Sequence, residues 1–189
     1  MAGLRVATWP LHQRLEKRLD VKHRFSTLAS YREHLEKMYG FCAGLERSVE
    51  FAGIHGALAD FASRSKLLLL RRDLIALGLT DRSVGDLPSC DSLRACDEPA
   101  TAFGRLYVIE GATLGGRTLL PLISSRLGLS ADHGAAFFAS YGDAVEIMWC
   151  RFGKALDAWC APSDRSASAA SAALTTFEAL EAWLCGAQA

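Results

Sequence analysis

The sequence predicts an all-α fold built as one helical domain. Apolar residues recur at the three- and four-residue spacing of amphipathic helices along almost the whole chain, and the alternation typical of strands is nearly absent. The chain has 189 residues, of which 50% are hydrophobic and 22% are charged. This length and composition suit a single domain over residues 1–189 with a substantial core. We therefore expect a helical bundle with no second domain and no internal repeat.

Helices are expected from the N-terminus onward. Pro10 either marks the start of the first helix or lies in the first turn of a helix that began earlier. A long helix is predicted over 30–51, and one or two more over 57–79, with Gly78 near their end. Residues 80–99 are rich in Gly, Pro, Ser and Asp and are predicted to form a loop. The leucines that define the buried face of the first helix are Leu4, Leu11, Leu15 and Leu19.

The second half of the chain continues this pattern. Residues 100–127 are predicted to be helical although they contain three closely spaced glycines. The last helices are predicted over 131–161 and 166–184, and the alanine-rich start of the latter favours helix over linker.

Composition and cysteine usage exclude several classes of function. Basic and acidic residues balance at 21 each, so no charge excess indicates binding to nucleic acid or to an anionic membrane. The six cysteines show no zinc-site spacing, and no apolar run reaches the ~20 residues of a membrane span. The N-terminus lacks an apolar signal segment, so we expect a cytoplasmic protein with reduced thiols.

His12 and Glu16 form the first motif with chemical potential. Their spacing of four places both on one helical face, within contact range. An imidazole that binds a metal through one nitrogen gains basicity and orientation when its other N–H meets an acceptor, and Glu16 is placed to be that acceptor. The alternative interpretation is a solvated surface pair, which the spacing alone does not distinguish.

Gly111, Gly115 and Gly116 form the second motif, within a predicted helix. Three interior glycines cost about 3 kcal/mol of helix propensity relative to alanine, so the pattern needs a physical reason. One reason is close approach of bare backbone to a flat ligand, with a bend that opens the helix over it. The alternatives are tight helix–helix packing or a loop. A phosphate-binding loop fits poorly because no preceding strand and no GK[ST] are present.

Together the two motifs describe a pocket for a planar ligand that carries a metal. One helix offers an imidazole from one side, and the other brings backbone without side chains against the opposite side. This arrangement leaves room for a small diatomic molecule and fits heme with one protein ligand and one open axial position.

Two segments resemble the heme oxygenase family. Residues 4–16 (LRVATWPLHQRLE) are similar to its proximal helix, and residues 107–116 (YVIEGATLGG) are similar to its distal helix. The form EGATLGG resembles bacterial members, especially those that accompany bacteriophytochromes. The resemblance covers most of the chain and implies a heme oxygenase-like helical bundle with heme between the proximal and distal helices.

The resemblance implies roles for individual residues on both sides of the heme. His12 would be the iron ligand and Glu16 its hydrogen-bonding partner. Gly111 and Gly115 would face the distal side, where oxygen binds, and Gly116 would permit a bend.

Further residues are expected at the edges of the heme. Arg5, two helical turns before His12, would meet a propionate, because propionates need cationic partners at the pocket mouth. Arg151 and Lys154 are weaker candidates for the same role, with a solvated helix face as the alternative. Phe138, with its neighbour Phe137, would pack on the porphyrin or form ordinary core.

Three positions depart from the pattern of well-studied eukaryotic members. An aspartate after the first distal glycine is matched by Ala112, a distal arginine by Val108, and a tyrosine from the second long helix by Cys42. The distal water network must then be built from backbone carbonyls, Thr113 or Glu110, and Thr113 is the catalytic candidate among these side chains.

The resemblance implies an enzyme that opens heme to biliverdin, ferrous iron and carbon monoxide with dioxygen. Heme would be both substrate and cofactor. Because the chain has no flavin, nicotinamide or iron–sulfur motif, an external ferredoxin or reductase would supply electrons, with Arg14, Lys17 and Arg18 as docking candidates. A bacteriophytochrome is a possible recipient of the pigment.

Two other functions stay open from the sequence: a heme carrier or sensor that does not degrade heme, and a helical interaction domain without a cofactor. The remaining histidines have no partner at ligand spacing and are predicted to be surface or capping residues. They are His23, His34, His55 and His133.

Overall fold

The computed structural model describes residues 1–186, and α-helices account for most of them. No β-strand is formed in this range, so the all-α prediction is confirmed. Two short 3-10 turns, Phe61–Arg64 and Gly142–Ala144, lie between helices. The helices are α1 (Ala2–Leu19), α2 (Val21–Arg24), α3 (Leu28–Val49), α4 (Ile54–Ala57), α5 (Leu67–Ala76), α6 (Asp81–Gly85), α7 (Pro99–Leu127), α8 (Ala136–Ala139), α9 (Val145–Trp159) and α10 (Ser163–Cys185).

Pro10 lies in the middle of α1, so both expectations for it were wrong. A proline there removes one helical hydrogen bond, which normally bends or ends a helix. Leu4 and Leu15, on either side of Pro10, are buried against the core. Their packing stabilises the helix across the proline, because tertiary contacts outweigh local propensity.

Local hydrogen bonds explain where the next helices begin. The hydroxyl of Thr27 accepts from the backbone N–H of Ser30, and the Ser30 side chain accepts in return from the N–H of Thr27, which starts α3. At the start of α6 the hydroxyl of Thr80 accepts from the backbone N–H of Ser83, without a return bond from the Ser83 side chain to the Thr80 N–H. Residues 80–99 therefore contain one short helix that the loop prediction missed.

The predicted helix over 131–161 is divided in the structure. Gly134, Ser140 and Gly142 all have positive φ, which interrupts right-handed helix. The buried carboxylate of Asp73 accepts hydrogen bonds of 2.7 Å from the backbone N–H groups of Ala136 and Phe137 and so caps the start of α8. Only the last part of the segment forms α9.

α7 and α10 pack along each other, and α1 packs on α10. The guanidinium of Arg14 donates to the buried Glu181 carboxylate (Nε–Oε2 2.8 Å), and Arg18 forms an ion pair with the same group at 3.1 Å. These ion pairs join α1 to α10, so two of the three predicted docking cations have a structural contact. Within residues 1–186, no helix is long and apolar enough to cross a membrane.

Candidate functional site

A cavity of about 370 Å³ lies between α1 and α7. α3, α9, α10 and the segment around α8 complete its walls. The cavity brings together most of the site residues that the sequence predicts. Those that line it are Arg5, His12, Glu16, Gly111, Thr113, Gly115, Gly116, Phe137 and Phe138.

The imidazole of His12 is held on the α1 side of the cavity. The Trp9 indole stacks on it with ring centroids 5.6 Å apart and planes 9° apart, and Phe177 of α10 meets it edge-on at 6.1 Å. His12 Nδ1 lies 3.7 Å from Glu16 Oε2. The Nδ1 atom itself is buried and has no hydrogen-bond partner in the part of the chain that the structure describes. An imidazole whose Nδ1 lies near a carboxylate could hold a metal through its other ring nitrogen, Nε2.

On α7, two of the residues that line the cavity, Gly111 and Gly115, present backbone without a side chain. A Cβ added at Gly115 would meet no atom within 4 Å, so this position opens onto free space. A Cβ added at Gly111 would meet only the Trp149 indole, at 3.6 Å. Both positions therefore let a flat ligand approach the α7 backbone closely.

Gly116 also lines the cavity, but its missing side chain serves packing. A Cβ there would lie 2.2 Å from the carbonyl oxygen of Phe138, which no side chain can tolerate. α7 is helical without interruption through all three glycines. Gly116 thus permits α8 to approach α7 and places Phe138 in the cavity wall.

Thr113 is buried at the cavity, where its hydroxyl donates to the backbone carbonyl of Glu110 at 2.6 Å. The oxygen lone pairs of Thr113 stay available to accept a hydrogen bond. The Glu110 side chain does not line the cavity, so it is not placed to build a distal water network there. Cys42 also does not line this cavity. It lies with Glu110 at a separate cavity of about 200 Å³, and burial raises the pKa of its thiol.

Glu110 belongs to a buried ionic network that we call the Glu110 cluster: Asp60, Arg64, Lys66, Glu110 and Tyr141. Lys66 Nζ donates to Glu110 Oε1 at 3.0 Å, Tyr141 donates to the same oxygen at 2.8 Å, and Arg64 pairs with the other carboxylate oxygen. Burial lowers the pKa of Lys66, although the Glu110 carboxylate opposes this shift. The cluster joins α7, next to Gly111, to the segments before α5 and α9.

Sequence analysis missed Arg64, Lys66 and Tyr141 because nothing local marks them. Arg64 and Lys66 lie 46 and 44 residues before Glu110, and only the tertiary structure brings the charges together.

The three predicted propionate partners lie in different places. Arg5 is exposed and lines the cavity at its open edge, beside Trp9. Arg151 and Lys154 are exposed on α9 and do not line the cavity, to which α9 contributes Trp149. Their contact with a propionate stays a prediction.

His34 is the site residue that sequence analysis misjudged. It is buried, only 5% exposed, and lines the cavity, so its prediction as a surface or capping residue was wrong. Burial, reinforced by the charges of Arg24 and Lys37, lowers its pKa to about 3. A signal was available, because His34 precedes Met38 by one helical turn on the buried face of α3. His23, His55 and His133 are exposed, as expected.

Comparison with known families gives a match over nearly the whole chain. The Heme oxygenase family model matches residues 1–185. The chain belongs to the heme oxygenase family. One cavity is lined both by the His12 imidazole on α1 and by two positions without a Cβ, Gly111 and Gly115, on α7.

Two solved structures show the same fold. A heme oxygenase from Neisseria meningitidis, solved with NO and CO bound, has a TM-score of 0.77 at 21% sequence identity. The match covers 97% of this chain and 88% of that one. The heme oxygenase from Leptospira interrogans also has a TM-score of 0.77, at 17% identity, with 97% of each chain covered. No functionally curated protein matches this chain.

Proposed function

We propose that this chain is a heme oxygenase that opens heme to biliverdin, ferrous iron and carbon monoxide, using dioxygen and external electrons. The observation that carries the proposal is the single cavity bounded by the His12 imidazole on α1 and by Gly111 and Gly115 on α7. Membership of the heme oxygenase family supports heme degradation in general.

On the proximal side, His12 binds the iron of heme through Nε2 and Glu16 orients it. The exposed Glu16 carboxylate lies within reach of Nδ1–H, either directly after a small side-chain rotation or through one water. This contact fixes the orientation of the ring and makes the imidazole a more basic ligand for the metal. Arg5 at the open edge binds a propionate as a charge-assisted hydrogen-bond donor.

On the distal side, the chain provides space and few polar groups. Heme, when bound, supplies the iron that activates dioxygen and the ring that is oxidised. Gly111 and Gly115 leave room beside the iron because neither carries a side chain. Thr113 holds a water through the lone pairs of its hydroxyl, whose proton is already donated to the Glu110 carbonyl. Phe138 packs against the ring.

Electrons come from a ferredoxin or a reductase that docks near α1. Lys17 is exposed, and Arg14 and Arg18 keep exposed surface although they pair with Glu181. Reversing the charge of Lys17 with Lys17→Glu should slow reduction by the donor at low ionic strength. An unchanged reduction rate would place the docking surface elsewhere.

The second candidate function is a heme carrier or sensor that does not degrade heme. It is favoured by one observation: among residues 1–186, Glu16 is the one carboxylate that lines the cavity. Ala112 and Val108, which the family pattern matches to a distal aspartate and arginine, also line the cavity and add no polar group. Proton supply on the distal side therefore depends on water held by Thr113 and by the backbone.

Reconstitution with hemin tests both functions. The parent should bind one equivalent, and reduction in air should bleach the Soret band while biliverdin appears and carbon monoxide is trapped. A heme spectrum that persists under the same conditions would support the carrier. His12→Ala should weaken hemin binding at least tenfold, with the exposed His55→Ala as the matched control. Equal affinity and spectra in His12→Ala and the parent would contradict the iron ligand.

A further inference from the structure

His34 is a polar side chain in an otherwise apolar part of the cavity. Its imidazole stacks on Phe138 with centroids 6.2 Å apart and meets Phe25 edge-on at 5.4 Å. Met38, one turn further along α3, also lines this region. Nδ1 of His34 is buried without a hydrogen-bond partner in the described part of the chain. An orphaned buried polar group of this kind is rare in native proteins and indicates a missing partner.

Burial distinguishes the two ends of the cavity. At one end Arg5 is exposed and Trp9 is 49% exposed, which identifies the mouth. At the other end Phe25 is 0% exposed and His34 is 5% exposed, which identifies the inner end. A bound tetrapyrrole therefore places one edge at the mouth and the opposite edge near His34.

Intact heme has no partner for His34 at this inner edge. Its only oxygen atoms are those of the propionates, which are charged and belong at the mouth, where Arg5 lies. The edge opposite the propionates carries C–H groups alone. The imidazole is neutral, so it offers one N–H donor and one nitrogen acceptor, and intact heme satisfies neither.

Ring opening changes this edge. A linear tetrapyrrole carries a carbonyl oxygen on each of the two terminal rings, on either side of the position that the lost meso carbon occupied. We propose that His34 forms a subsite for one of these carbonyl oxygens, to which its imidazole N–H donates a hydrogen bond. The proposal rests on the proposed function and extends it, because the subsite recognises the product and places the opened edge at the inner end of the cavity.

The test compares binding of two ligands to the apoprotein, followed by quenching of tryptophan fluorescence. His34→Phe keeps a planar ring beside Phe138 but has no hydrogen-bond donor, whereas His34→Gln restores one. We expect His34→Phe to bind biliverdin about fivefold to tenfold more weakly than the parent, and hemin within twofold. His34→Gln should recover most of the loss, and His55→Phe, outside the cavity, should match the parent for both ligands.

Unchanged biliverdin binding in His34→Phe, or an equal loss for hemin and biliverdin, would overturn the subsite. These results are separate from the proposed function, because hemin binding and turnover by the parent test that function independently.

Spectra of the parent keep the proposal testable even if a variant fails to fold. In protein labelled with ¹⁵N-histidine, biliverdin should shift the His34 ring nitrogens and slow exchange of the N–H proton. Gallium protoporphyrin IX, which keeps the ring intact, should not produce this shift. The same response to both ligands would also overturn the subsite.

Discussion

Replacing Glu110 with glutamine should destabilise the protein strongly, because it leaves a buried positive charge without its carboxylate partner. Glu110 is 2% exposed and neutralises Lys66, which is also 2% exposed, across a distance of 3.0 Å. In this variant the charge of Arg64 is still compensated by the Asp60 carboxylate, with which Arg64 forms hydrogen bonds of 2.7 and 2.8 Å. The uncompensated charge in Glu110→Gln is therefore the Lys66 ammonium.

Two estimates of the cost agree. Removing one partner of a buried ion pair costs about 3–5 kcal/mol. If Lys66 instead gives up its proton, the cost at pH 7 relative to an unfolded lysine of pKa ~10.5 is about 5 kcal/mol. A protein of this length loses roughly 2–4 °C of melting temperature per kcal/mol, so the midpoint should fall by about 6–20 °C.

The pH dependence of the stability of Glu110→Gln tests whether Lys66 is the source of the lost stability. A neutral Lys66 in the folded variant means that the unfolded state binds one more proton, so stability rises with pH by about 1.4 kcal/mol per unit up to the unfolded pKa. The deficit of Glu110→Gln should therefore shrink to about 2 kcal/mol at pH 9.

Thermal and urea denaturation at pH 7 and pH 9 measure the effect. Glu33→Gln, which removes an exposed carboxylate paired with Lys37, is the matched control and should change stability by less than about 0.5 kcal/mol. The double variant Glu110→Gln/Lys66→Met should recover much of the loss, since no ammonium remains. A stability of Glu110→Gln within 1 kcal/mol of the parent at pH 7, or a deficit that does not shrink at pH 9, would refute the reasoning.

Three further predictions concern the cavity. Glu16→Gln should leave the fold intact and weaken hemin binding by about 10–100-fold in a Soret titration; an unchanged affinity would remove Glu16 from the site. Gly115→Ala should stabilise the apoprotein by about 0.5–1 kcal/mol but weaken hemin binding, whereas Gly116→Ala should destabilise it, because its Cβ would meet the Phe138 carbonyl. Equal melting temperatures for the two alanine variants would contradict this difference. Because burial lowers the pKa of His34 to about 3 in the folded state, the unfolded state binds more protons below its pKa of ~6.5. The free energy of unfolding should then fall with acidification, and His34 should account for about 2 kcal/mol of this fall at pH 5. Urea unfolding of His34→Phe should therefore show a smaller fall in stability between pH 7 and pH 5 than the parent.

Particular residues show how far local pattern predicts the fold. The period of the leucines in the first helix predicted its buried face, and α1 buries Leu4 and Leu15. Pro10 should have limited that helix by local rules, yet it lies inside it, because contacts with distant parts of the chain stabilise α1. The segment 131–161 has helical composition, but backbone at Gly134 and Ser140 adopts positive φ, and a carboxylate from α5 starts α8. Neither feature is visible in local spacing.

The sequence by itself determined the all-α class and the two motifs that line the cavity, because helical period, the His12–Glu16 spacing and the three glycines are local properties. Only the tertiary structure decided which polar groups are buried together. Glu110 was a candidate for the distal water network, but its carboxylate forms ion pairs with Lys66 and Arg64 in the Glu110 cluster. His34 was assigned to the surface, but the packing of α3 places it in the cavity. Burial and pairing of charges depend on elements far apart in the chain, so they follow from the packing of the helices and not from the pattern of any one of them.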